Sequence, residues 1–166
     1  MKRFLPLIVI LVLIALAGGG YFLLFVANQA PEQPIAFSHQ LHAGTNQIDC
    51  AFCHRYARRS TVAGMPSVES CKGCHIIIAA QRPEVQKLMS FWNQQKPIPW
   101  VKVYDLPDHV YFSHKRHLLA DIECRTCHGD VAGMDQVRLA VDLKMGWCLN
   151  CHRQREAGTD CWTCHN

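Results

Sequence analysis

The chain has 166 residues, 17 Lys and Arg against 13 Asp and Glu, and ten cysteines beside ten histidines. That length bounds about one domain. Although 49% of residues are apolar, much of that content sits in one N-terminal run, so the rest is too short and too punctuated to build a large core and needs staples such as metals or disulfides.

Residues 4–27 contain no charged side chain and are almost entirely Leu, Ile, Val, Phe, Ala or Gly. A helix crossing the hydrocarbon core needs roughly 20 such residues, so this run predicts a transmembrane helix. Lys2 and Arg3 precede it, and the positive-inside tendency places that end in the cytoplasm and everything that follows on the periplasmic side. A cleaved signal peptide has an apolar core of only about 7–15 residues. The longer run here is read as a retained anchor over residues 1–30, followed by a second unit over residues 31–166.

Every cysteine of that second unit falls in a C-x-x-C-H motif, the spacing of covalent haem attachment. The motifs are Cys50-Ala-Phe-Cys53-His54, Cys71-Lys-Gly-Cys74-His75, Cys124-Arg-Thr-Cys127-His128, Cys148-Leu-Asn-Cys151-His152 and Cys161-Trp-Thr-Cys164-His165. Two cysteines three apart reach the two vinyl groups of one haem, and the next histidine then lies under the iron. Zinc knuckles also use C-x-x-C pairs, and disulfides suit an oxidising compartment. Neither requires a histidine after the second cysteine, which here follows five times. The reading is five covalently attached haems c, with the ten cysteines as attachment points and the five histidines as iron ligands.

Five further histidines remain: His39, His42, His109, His114 and His117. Four lie just ahead of attachment motifs, in Phe37-Ser-His-Gln-Leu-His42 and Phe112-Ser-His-Lys-Arg-His117. On a helical turn, positions i and i+3 share a face, so each turn offers two imidazoles as distal ligands, which need not serve one iron. His109 has no counterpart in the first half. It is favoured as the fifth distal ligand over Met134 or Met145, methionine being the other common sixth ligand.

Phe-Ser-His-x-x-His, C-x-x-C-H, Val-Ala-Gly-Met and a second C-x-x-C-H occur in that order twice, over about 37–75 and 112–152, with the motif at 161–165 added at the end. Val-Ala-Gly-Met, at residues 62–65 and 131–134, reads as a shared turn. Between the repeats, Pro83 predicts a helix start, with Val85, Leu88, Met89 and Trp92 forming an apolar stripe. Pro97 and Pro99 end it, and an extended segment follows from Pro99 to Tyr104. The fold expected is mostly irregular with a few short α-helices, because covalent haems take the place of most of a protein core. With Lys2 and Arg3 set apart, 15 basic residues meet 13 acidic ones. Ten propionates would bring the net charge to about −8 and remove any argument for nucleic-acid binding.

The paired Phe-Ser-His-x-x-His lead-ins resemble multihaem cytochromes of the c3 and c7 type. The anchor, the five motifs, and the segments Trp100-Val-Lys-Val, Leu106-Pro-Asp-His-Val-Tyr-Phe-Ser-His114 and Met145-Gly-Trp-Cys-Leu-Asn-Cys-His-Arg153 are similar to the pentahaem cytochrome subunit of alternative complex III. A haem subunit of a related quinone reductase is the alternative. The resemblance implies an electron-transfer subunit with no substrate site of its own, in a quinol-oxidising respiratory or photosynthetic complex. The implied partners are integral-membrane quinol-binding subunits, an iron–sulfur subunit related to molybdopterin oxidoreductases, and a monohaem cytochrome or other soluble acceptor. An enzyme acting on a small nitrogen or sulfur compound would instead need one iron without a protein sixth ligand.

Overall fold

The structure, a computed structural model, describes residues 5–22 and 30–165. Helix α1, Leu5–Tyr21, is apolar on every face, with Leu, Ile and Val side chains exposed around its whole circumference. Its 17 residues rise about 25 Å at 1.5 Å each. Among the described residues no helix is long and apolar enough to cross a membrane. The span expected over 4–27 therefore reaches, at residue 4 and at 23–27, outside the described residues. The helix ends just after Gly18, Gly19 and Gly20, three residues of low helix propensity.

Seven short helices carry the rest. They are α2 (Cys50–Cys53), α3 (Val68–His75), α4 (Pro83–Asn93), α5 (His114–Leu119), α6 (Cys124–His128), α7 (Met145–Gln154) and α8 (Cys161–Cys164), joined by a π-helical turn at Gln40–Thr45 and a 3-10 turn at Val131–Gly133. Among the described residues there is no strand, only one isolated antiparallel bridge between Val110 and His165. The segment after Pro99 is extended without becoming a strand. Its pairing comes from one side chain, as Gln33 accepts from the Val101 N–H and donates to the Val101 carbonyl, both at 2.9 Å.

α4 forms as the sequence dictates. Pro83 occupies its first turn, where a missing N–H costs nothing. Val85 and Leu88 are buried and Met89 and Trp92 half-buried on one face. That face packs on α3, where Ile35, Leu88 and Ile98 form a cluster joined by Val68, Cys71, Phe91 and Trp100. Lys72 lies 4.0 Å from the Trp92 ring centroid, closing the α3–α4 contact from the outside. With Val85, these are the only buried apolar residues among those described, so polypeptide packing alone accounts for little of the fold.

The shared turn expected of Val-Ala-Gly-Met is not shared. Residues 62–65 are irregular, with Gly64 at φ +76°, whereas Val131–Gly133 is one 3-10 turn. The two copies face different neighbours: the Gly64 carbonyl accepts from His54 Nδ1 at 2.8 Å, and the Met134 carbonyl accepts from the Gln40 N–H at 2.8 Å.

Candidate haem-binding sites

The C-x-x-C-H motifs open α2, α6 and α8, complete α3 and lie inside α7. An extended residue precedes each of these helices, at Asp49, Ser67, Glu123, Lys144 and Asp160. Asp49 accepts from the Ala51 N–H at 2.7 Å and Ser67 from the Ser70 N–H at 3.3 Å, satisfying first-turn donors. On a helical turn the two cysteines of a motif share a face, and the histidine follows within a residue of it.

The two Phe-Ser-His-x-x-His segments fold alike, for a reason that lies in all three residue types. Ser38 caps its turn by accepting from the Leu41 N–H at 3.1 Å, and Ser113 does so from the Arg116 N–H at 3.4 Å. The fourth residue after each serine turns its ring back, so that His42 Nδ1 and His117 Nδ1 donate to the Ser38 and Ser113 carbonyls, both at 2.8 Å. Phe37 is wedged between the imidazoles, edge-on to His39 at 4.8 Å and stacked on His42 at 4.3 Å. Phe112 repeats this against His114 at 4.9 Å and His117 at 4.5 Å. Sequence reasoning found the histidines and missed the phenylalanine as the spacer that sets their angle.

One difference separates the two turns. The first chain carries one more residue between its second histidine and the next cysteine (His42 to Cys50, against His117 to Cys124). The extra residue is taken up by widening an α-turn into a π-turn, with Asn46 donating to the Leu41 carbonyl at 3.0 Å. Both turns then finish in the same way. Gln47 and Asp121 adopt φ of 54°, and Ile48 and Ile122 donate back to the His42 and His117 carbonyls at 3.0 and 3.1 Å.

Across the fold, the spare histidines face the motif histidines. Ring centroids are 5.9 Å apart for His42 and His75, 6.4 Å for His114 and His128, 6.1 Å for His117 and His152, and 5.5 Å for His109 and His165. His39 lies beside His54, whose charge would disfavour protonation of His39. The pattern repeats within the halves: the first histidine of each turn goes to the first motif of its half and the second to the second. Of the two methionines weighed against His109, Met145 is well exposed and Met134 lies near Gly129.

Most of these rings are held by Nδ1. In addition to His42, His54 and His117, His75 donates to the Ile78 carbonyl at 3.0 Å, His114 to Thr61 at 2.9 Å, His152 to Gly158 at 2.6 Å and His165 to His109 at 3.2 Å. A backbone carbonyl accepts only from a protonated nitrogen, so Nε2 is left bare as a ligand atom. His39 Nδ1, by contrast, is buried without a partner. Burial, then His54 and then His42, pushes His39 down to about 4, and burial, then His114 and then His54, lowers His128. Both therefore stay neutral at ordinary pH, the state a metal ligand requires. His128 is also braced edge-on by Tyr104 at 4.5 Å, whose hydroxyl accepts from the Ala140 N–H at 2.9 Å. This positioning tyrosine carried no motif signal.

The thiols are unpaired and partly shielded. Burial is the first cause that raises Cys50, Cys53, Cys71, Cys127 and Cys148, and neighbouring thiols are the next causes for most of them. Among the described residues no three His, Cys, Asp or Glu side chains converge as a metal cluster. Opposed pairs of imidazoles, each beside a C-x-x-C face, fit a haem with one imidazole on either side.

These features define a multihaem c-type cytochrome. Residues 26–103 match the class III cytochrome C family, and residues 110–166 match cytochrome c7 and related cytochrome c. Both parts of the chain are thus similar to multihaem cytochromes of the c3/c7 type, families that carry covalently bound c-type haem. It is also similar to the menaquinone reductase multihaem cytochrome c subunit of Nitratidesulfovibrio vulgaris, at 29% identity over 81% of this chain and 77% of that protein.

Proposed function

We propose that this chain is the electron-transfer subunit of a membrane quinone oxidoreductase, holding five haems c and supplying both axial ligands of every iron. The observation that carries this reading is that four of the five motif histidines have a second imidazole facing them across 5.5–6.4 Å, while His39 lies beside the fifth, His54. Haem iron supplies one-electron chemistry, and with two imidazoles it offers no position to a small substrate. The protein's own part is to hold geometry. The Nδ1 bonds fix each ring's tautomer and orientation, Phe37 and Phe112 fix the angle between paired rings, and the α3–α4 cluster anchors the second motif.

The relative's name supports a quinone-linked complex, and favours delivery of electrons toward menaquinone. The similarity of residues 145–153 to the alternative complex III subunit supports the opposite direction, quinol to a soluble acceptor. Both directions use the same sites. In either, quinone chemistry belongs to integral-membrane partners, with an iron–sulfur subunit between them and this chain. Residues 1–30 anchor the chain with the N-terminus in the cytoplasm, and residues 31–166 lie on the periplasmic face. The apolar, uncharged α1 supports this, since it presents no polar face for packing against a soluble domain.

The test is the mass and coordination of the mature protein. Five haem units should be covalently retained, and all irons should be low-spin without carbon monoxide binding after reduction. Four haems, or a persistent high-spin iron, would defeat the reading and favour an enzyme with an open site.

A further inference from the structure

The halves of the molecule are joined at a place that sequence order does not suggest. His39 and His42 share one turn and face His54 and His75, so the first two attachment sites are neighbours, and Cys53 lies beside Cys71 and Cys74. By the same logic His114 and His117 tie the sites of His128 and His152 together, with Cys127 beside Cys151 and Cys148. The seam between halves, however, runs through the first and third motifs. His114 Nδ1 donates to the Thr61 carbonyl at 2.9 Å and the Lys115 N–H to Ser60 at 3.0 Å, both in the loop after His54. The Gln40 N–H donates to Met134, in the loop after His128. The Cys50 and Cys124 thiols lie beside each other. The last motif then joins the fourth: His152 Nδ1 donates to the Gly158 carbonyl at 2.6 Å and Gly158 lies against Thr163, inside the last motif, with Cys164 beside Cys148.

We propose that the five attachment sites stand in single file in the order His75, His54, His128, His152, His165, with the sites of His75 and His165 as its two ends. The order rests on the five-site reading above. A separate observation agrees with it. Among the described residues the two most exposed large apolar side chains are Ile77, at 83%, and Trp162, at 85%. Ile77 follows the motif of His75 and Trp162 lies inside the motif of His165, so the two end sites are the least shielded by polypeptide, as sites that meet another redox protein must be.

A methionine in place of a distal histidine raises the potential of that one site while keeping it six-coordinate. In the full-length haem-loaded protein, His42→Met, His39→Met and His109→Met each allow one site to be reduced ahead of the others. Proton NMR of the haem methyl signals then reads how many other sites are perturbed when the marked site loses its paramagnetism. The proposed order predicts one neighbour for His42→Met, two for His39→Met and one for His109→Met. File order along the sequence predicts the reverse for the first pair, two and one, and that result would overturn the proposal. If a variant fails to load, iron–iron distances in a cryo-EM map of the wild-type holoprotein decide. The iron at His54 must be nearer the one at His128 than the iron at His75 is. A wild-type mass showing fewer than five haems would instead overturn the five-site reading itself.

Discussion

His109 carries the weakest sequence signal of the ten imidazoles and has one of the plainest structural placements. It lies outside the Phe-Ser-His-x-x-His repeat, and its only distinction in the sequence is that it completes a count. In the fold its ring stacks on His165 at 5.5 Å with 24° between planes, and its carbonyl accepts from His165 Nδ1. The same residue thus holds the motif histidine's tautomer and faces its ring. His109→Ala should leave five haems attached and open one iron, seen as a new high-spin ferric signal with carbon monoxide binding after reduction. Met145→Ala and Met134→Ala should leave every iron low-spin. The opposite pattern, together with a sulfur-to-iron charge-transfer band in the wild type, would move the ligand to a methionine. The attachment residues were legible because their chemistry fixes a local spacing. Tyr104 and the two phenylalanines were not, because edge-on bracing of an imidazole depends on where separate segments meet.

The elements show how a repeat tolerates change. One extra residue in the first distal turn alters its helix type from α to π, yet leaves both imidazoles and the return at Ile48 matched to those of the second half. The sequence shows the repeat and the helical spacing, but the choice between α and π follows from the length of the link to Cys50, which only the folded ends define. The pairing of turns also imposes a close approach. A Cβ added to Gly44 would run into the Ala132 carbonyl, a backbone atom that cannot swing aside. Gly44→Ala should therefore destabilise the holoprotein by about 1–3 kcal/mol, read as a lowered unfolding midpoint with haem content unchanged. Gly129 combines a φ of +68° with a notional Cβ 2.6 Å from the Ala140 Cβ, so Gly129→Ala meets both backbone strain and overlap. It should destabilise by more than the roughly 1 kcal/mol that a strain-free glycine-to-alanine exchange would gain. Unchanged midpoints in both variants would mean that the two halves do not pack as described. The irregularity of residues 62–65, against the 3-10 turn of Val131–Gly133, makes the same point from the other side. Identical tetrapeptides differ in shape because one serves a ring nitrogen and the other a backbone amide.

At the scale of the molecule, the fold has almost no polypeptide core beyond Ile35, Val85, Leu88 and Ile98. Small domains with so little burial depend on covalent or metal staples. The unloaded chain should accordingly fail to fold: expressed without haem attachment, it should give only weak helical signal and no cooperative thermal transition, whereas a compact apoprotein with a sharp transition would contradict this. The α4 stripe and the mostly irregular fold with a few short helices were legible because local periodicity and cysteine spacing dictate them. The joining of the first motif to the third was not, because it depends on contacts such as His114 to Thr61 and Gln40 to Met134, far apart in sequence, that leave no local trace. The last expectation concerns the N-terminal segment. α1 is apolar all round and without charge from Leu5 to Tyr21, a surface that water does not tolerate at this length and that the small haem domain has no core to cover. Membrane fractions should hold the protein through high-salt and alkaline washes and release it only in detergent, since salt screens charges but leaves apolar burial intact. Replacing Leu11 and Ile14 with Lys should transfer the haem-loaded protein to the soluble fraction, because each charge at the middle of a span costs about 2.5–3.5 kcal/mol. Wild-type protein released by salt alone, with its five haems in place, would remove the anchor and with it the reason to expect integral-membrane partners.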